Sequence, residues 1–253
     1  MRYFSALATL VIALLFLSYQ TEAAETTKHS NEKRMELYKA IEDYYHIPWY
    51  YIAGIDQYEH SIRNARKDLP DSKGPIGIII PPEKWSGLLN PDPYDSNPKS
   101  IAFFDGLGKD GNGDGMADMT DDNDILVTIA SYLTKYGTEE DQIKIALWNY
   151  YKRDKAVGII IGNSKIFKKY NTIALNDKAF PIPLSANYSY RSTWGVARGW
   201  GGRRSHEGTD IFAGYGVPVK ATSYGIVEIK GWNRFGGWRI GIRDLNNTYH
   251  YYA

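Results

Sequence analysis

The chain has 253 residues, with 30 lysines and arginines against 29 aspartates and glutamates, a formal net charge of +1 at pH 7. That balance argues against a nucleic-acid partner, which is ordinarily met by a basic stripe or a high isoelectric point. No cysteine is present, which excludes disulfides and cysteine nucleophiles and leaves packed cores as the source of stability.

In chain order, Met1-Arg2-Tyr3 is a short basic start, Phe4 to Leu17 an apolar run, and Thr21-Glu22-Ala23 a set of small residues at cleavage spacing. Together they read as an export signal over residues 1–23. The run is shorter than the about 20 residues that span a bilayer, so no membrane span is expected after cleavage; an uncleaved anchor is the alternative. Asn31 to Tyr170 is mostly helical in texture. Met35, Leu37, Tyr38, Ile41, Tyr44 and Tyr45 recur near the helical period. A second helix is expected over Trp49 to Ala65 after Pro48, and two more over Asp124 to Tyr136 and Glu139 to Lys152, with Gly137 closing the first of these.

Between them, Pro70 to Asn123 is rich in glycine, proline and aspartate and is expected to be mostly loop, a length that usually implies a function or a bound ion. Asp110, Asn112, Asp114 and Asp118 place oxygens at the first, third, fifth and ninth positions of a calcium-type loop, with Gly115 at the sixth, the Met116 carbonyl at the seventh and Asp121 at the twelfth. A structural calcium ion is therefore expected there, against the alternative of a solvated acidic loop.

From Asn171 the texture changes. Pro181, Pro183 and Asn187 mark a linker, and Val217 to Ile242 alternates apolar and polar residues between glycine turns, as strands do. Within this part, His206 and Asp210 set an imidazole and a carboxylate four residues apart, a ligand mix that zinc accepts. The letters also approximate the helical His-Glu-x-x-His pattern, but Gly208 and the following Ile211-Phe212 argue against a helix. His250 lies further on and reads as a surface or supporting residue rather than a ligand.

The stretch Arg203 to Ala213 closely resembles the first metal-binding motif of lysostaphin/LytM-type zinc metallopeptidases, which cut peptide bonds in bacterial cell-wall peptidoglycan. The resemblance implies that His206 and Asp210 bind zinc. Gly216 to Thr222, Gly225-Ile226-Val227 and Gly236 to Ile242 look like that family's successive strands and turns. Tyr249-His250-Tyr251-Tyr252-Ala253 looks like the lead-in to its Tyr-x-His-Leu motif. In the family the histidine of that motif is catalytic and a later His-x-His pair gives the third ligand. Neither falls within residues 1–253, so the resemblance implies a half-built metal site, an incomplete sheet and no appreciable endopeptidase activity from these residues alone.

The helical part resembles lysozyme-like lytic transglycosylases through Tyr51 to Glu59, Gly74 to Ile78, Ile129 to Leu133 and Ala146 to Tyr150. This implies that Glu59 is the general acid of glycan cleavage, a task needing a raised pKa. His60-Ser61-Ile62 stands where Ser-x-Phe is usual, and the expected glutamine after the glycine motif is absent. The readings left open are a muramidase or lytic transglycosylase, and a lysozyme-like fold kept for wall binding.

The expected fold is α+β and multidomain. A lysozyme-like helical domain over 24–172 is followed by a linker over 173–189 and a partial antiparallel β-sheet peptidase domain over 190–253. The expected activity is zinc-dependent peptidoglycan stem-peptide hydrolysis, by a protein exported to the cell wall or spore of a Gram-positive bacterium.

Overall fold

The computed structural model describes residues 29–69, 72–199, 203–234 and 237–253; the leader read over 1–23 lies outside them. Among the described residues no helix is long and apolar enough to cross a membrane. The chain divides into two compact units, Met1–Ala174 and Leu175–Ala253.

The first unit is helical: α1 over residues 29–45, α2 Trp49–Ala65, α3 Pro82–Trp85, α4 Pro98–Phe103, α5 Asp122–Thr134, α6 Glu140–Tyr151 and α7 Asp154–Tyr170. Local chemistry sets several ends. Asp121 caps α5 by accepting the amides of Asn123 and Asp124, satisfying donors that a helix start leaves unpaired. Gln142 reaches back to the Glu139 amide at 3.1 Å before α6, and Lys152 ends that helix in the left-handed conformation. α5 starts and stops two residues earlier than its acidic entry and Gly137 suggest, because the cap is Asp121 rather than a later acid.

The reading of the sequence did not single out α7, yet it is the main partner of α2. Gly54 permits that packing: a Cβ there would stand 2.8 Å from the Ile160 carbonyl oxygen. The core gathers Tyr38, Ile52, Ile55, Trp85, Leu126 and Phe167. Asp56, fully buried, accepts from Arg34 Nη2 at 2.7 Å, from the Tyr38 hydroxyl and from the Gly77 amide. The glycine-bounded segment 74–78 is thus held by Asp56, three residues before Glu59. Among the described residues, the long connection before α5 is mostly loop, interrupted by the short α3 and α4.

The second unit contains β1 Tyr188–Ser192, β2 Ala197–Arg198, β3 Arg204–Ser205, β4 Thr209–Ala213, β5 Gly225–Asn233, β6 Gly237–Asp244 and β7 Tyr249–Tyr252. They form three antiparallel sheets, β1 with β4, β2 with β3, and β5-β6-β7 in sequence order. The segment 216–222, expected to carry a strand, does not. Gly216 turns the chain at φ +82°, and Pro218 has no amide hydrogen to give a ladder. The segment is instead tied down by single bonds from the Lys220 amide to Pro181 O at 2.7 Å and from the Thr222 amide to the Tyr252 hydroxyl at 2.9 Å.

Candidate metal site and a buried glutamate

Two ladders converge on the histidine–aspartate pair. The β1–β4 register sets Arg191 opposite Asp210 and Ser192 opposite Thr209. Beyond β2 and β3, His206 continues the pairing, its amide donating to Val196 O at 3.0 Å and its carbonyl accepting from the Gly195 amide at 2.8 Å. His206 therefore follows a strand end rather than lying on a helix, and its Nε2 comes within 3.6 Å of Asp210 Oδ1. Two zinc ligands, each about 2.0–2.1 Å from the metal at tetrahedral angles, stand about 3.3 Å apart. The spacing suits a shared ion after a small adjustment. The His206 side chain is 13% exposed and that of Asp210 37%, so the pair is sheltered on one side and reachable from the other.

Between them stands Thr193, which the sequence reading missed. Its hydroxyl donates to Asp210 Oδ2 at 2.8 Å and lies 2.7 Å from His206 Nδ1, while its carbonyl oxygen is 3.2 Å from that same nitrogen. Nothing in the local letters marks it, because the contact exists only once both ladders have formed.

His250 is engaged elsewhere. Its Nε2 is 2.9 Å from Asp244 Oδ2 and its Nδ1 3.2 Å from Thr222 Oγ1. Among the described residues no group of three or more histidines, aspartates or glutamates is arranged to hold a metal ion.

The calcium-type loop is folded by its own carboxylates. Asp110 accepts the amides of Gly113 and Gly115 at 2.7 and 2.8 Å. Asn112 Oδ1 accepts from Asp114 N, Asp114 Oδ1 from Met116 N, and Asp118 Oδ1 from Thr120 N. Asp121 serves as the helix cap. The organising acid is Asp124, fully buried, which gathers the amides of Gly111, Asn112 and Asp118. Read from sequence alone, Asp124 is merely an acidic residue at a helix start.

Glu59 lies in α2 with its side chain 16% exposed. Burial pushes its carboxyl above the ordinary range, and the Tyr151 hydroxyl, donating to Oε1 at 2.7 Å, together with the Arg63 charge, only partly offsets this. A further opposing influence comes from Lys84, which lines a cavity of about 460 Å³ with Leu88, Phe104, Leu107, Tyr132 and Tyr150. The buried Tyr150 hydroxyl has no hydrogen-bond partner.

In this antiparallel unit a histidine just ahead of β4 and an aspartate on β4 approach to 3.6 Å. Residues 204–253 match Peptidase family M23, whose members are generally zinc-dependent. The chain is 58% identical over 248 residues to the L-Ala--D-Glu endopeptidase of Bacillus subtilis (strain 168), covering 96% of this chain and 76% of that relative. The chain belongs to Peptidase family M23. No solved structure matches it.

Proposed function

We propose that the protein is a peptidoglycan endopeptidase that cuts the stem peptide between L-alanine and D-glutamate, with His206 and Asp210 as two zinc ligands. The approach of His206 Nε2 to Asp210 Oδ1 at 3.6 Å carries this reading, and the name of the Bacillus subtilis relative supports the choice of bond. Zinc bound there would polarise the scissile carbonyl and acidify a water. The chain's own residues hold the ligands in register through β1–β4 and the His206 pairing, and leave one side open to an extended peptide. Such an enzyme acts outside the cell, on the wall or spore, which accords with the leader read over residues 1–23.

The test is digestion of purified peptidoglycan, with new amino termini labelled and identified. Newly exposed amino-terminal glutamate, lost in His206→Ala and in Asp210→Ala, is expected; release of reducing sugar ends alone would overturn the assignment.

A second reading, for the helical unit, rests on Glu59. A carboxyl whose pKa is raised by burial, and which feels the charge of Lys84 in the lining of an apolar and aromatic cavity, suits a general acid toward a glycosidic oxygen. Loss of reducing-end release in Glu59→Gln, with release retained in His206→Ala, supports it; no reducing-end release from the unaltered protein leaves the unit a wall-binding module. The loop Asp110 to Asp121 is read as a structural calcium site, supported by Gly115 at φ +89°, the sharp turn such a loop needs at its sixth position.

A further inference from the structure

We infer that Thr193 is the positioning residue of the metal pair, and that it acts by fixing the proton of His206 on Nδ1 so that Nε2 is free to bind metal. A threonine hydroxyl has one hydrogen to give. Here that hydrogen goes to Asp210 Oδ2 at 2.8 Å. The same oxygen sits 2.7 Å from His206 Nδ1, so it can meet that nitrogen only as an acceptor. The Thr193 carbonyl, 3.2 Å from Nδ1, can also only accept. Two acceptors facing one ring nitrogen require a hydrogen on it. In a neutral imidazole the other nitrogen, Nε2, then carries the lone pair, and Nε2 is the atom that faces Asp210 Oδ1.

One side chain thus sets both ligands. Its oxygen chooses the imidazole tautomer and holds the ring plane, and its hydrogen takes up Oδ2, turning Oδ1 toward Nε2. The backbone makes this geometry durable. Thr193 follows β1, whose pairing with β4 delivers Asp210, and precedes Gly195 and Val196, whose bonds deliver His206. Outer partners of metal-bound histidines act in this way, and their loss typically weakens metal binding about 10–100-fold.

The inference rests on the reading of His206 and Asp210 as zinc ligands, and the experiment separates the two. In the metal-free full chain at about pH 8.5, above the ordinary imidazole range, nitrogen NMR of labelled His206 should show the hydrogen on Nδ1. A hydrogen on Nε2 in the unaltered chain would overturn the inference without any variant. Thr193→Val keeps the shape and removes the hydroxyl. It should shift His206 toward the other tautomer and weaken zinc, measured by competition with a chelator, by about 10–100-fold. Thr193→Ser should stay within about threefold of the unaltered chain, a rescue that a purely steric role would not give. If Thr193→Val does not fold, Thr193→Ala is read in its place. If His206→Ala abolishes zinc binding while the hydroxyl-less variant keeps it, the inference alone falls. If His206→Ala leaves zinc binding intact, the zinc reading falls and the inference falls with it.

Discussion

Nε2 of His250 lies 2.9 Å from Oδ2 of Asp244, a carboxylate only 4% exposed. The other oxygen, Oδ1, accepts the amides of Asn246 and Thr248 at 3.0 and 2.8 Å, so Asp244 pins the turn between β6 and β7 while His250 reaches back from β7. Burial by itself raises the Asp244 carboxyl. The His250 and Thr248 hydrogen bonds and the Lys178 charge outweigh it and hold the group below the usual carboxylate range.

A carboxylate whose folded pKa is depressed contributes stability above its unfolded value, about 3.9, and that contribution is lost as pH falls through the folded value. Asp244→Asn should therefore lower stability at pH 7 by about 1–3 kcal/mol, the worth of hydrogen bonds to a charged group. It should also flatten the loss of stability below about pH 4. Urea melts at neutral and acid pH, followed by tryptophan fluorescence, check this; equal midpoints at pH 7 would contradict it.

Glu59 has the opposite sign. Its folded pKa is raised, first by burial, so the folded state holds the proton to higher pH than the unfolded chain does. Stability falls as pH rises from the unfolded value, about 4.3, through the folded one. Glu59→Gln, which cannot ionise, should remove that slope and match or exceed the unaltered protein at pH 7. Tyr151→Phe takes away the donor to Oε1 and should move the slope to higher pH. Thermal melts across pH 4–8 read both, and an unchanged profile in Glu59→Gln would count against the assignment.

Two glycines of the α2–α7 pair should respond oppositely to alanine. At Gly54 a Cβ would meet Ser164 Oγ at 2.2 Å and Ile160 O at 2.8 Å, and Ser164 is itself bonded to that carbonyl. The hydroxyl can turn away only by giving up that bond, and the carbonyl cannot give way without shifting α7, so Gly54→Ala should cost about 1–3 kcal/mol. At Gly158, exposed within α7, nothing lies within 4 Å of a Cβ. There alanine should stabilise by up to about 1 kcal/mol through helix propensity. Denaturant midpoints of the two variants lying on the same side of the unaltered protein would refute the packing account.

What could be read from sequence divides by the range of the interaction. The bounds of α2 follow from Pro48 before it and the apolar spacing within it, all local. His206 and Asp210 were legible because a four-residue spacing on one strand–turn–strand segment suffices to bring them together. Thr193 was not, since its contacts depend on β1 meeting β4 and on Gly195 and Val196 meeting His206. α7 is not legible in the letters because Gly158 and Gly162 blur its helical pattern, while its tertiary partner α2 supplies what propensity lacks. Segment 216–222 was misread because valines around a proline resemble a strand until the missing amide hydrogen is counted.

The loop before α5 should bind calcium. Its carboxylates fold it through bonds to backbone amides, yet each carboxylate oxygen that accepts one hydrogen retains a further lone pair. Calcium takes six to eight oxygens at about 2.3–2.6 Å, and Asp110, Asn112, Asp114, Asp118 and the Met116 carbonyl can supply five or more. Asp121 is the weak point, because it already caps α5 and is shorter than the glutamate usual at that position. Binding should therefore be modest in affinity, yet at 100 times the dissociation constant still stabilise the folded unit by about 2.7 kcal/mol. Melting midpoints with EDTA and with millimolar calcium should differ, and Asp110→Asn should shrink the difference. Asp124→Asn is the control: it weakens the amide bonds that shape the loop and should lower the midpoint with or without calcium. Equal midpoints at saturating calcium would show that Asp124 and the Asx turns alone hold the loop, and the calcium reading would be withdrawn.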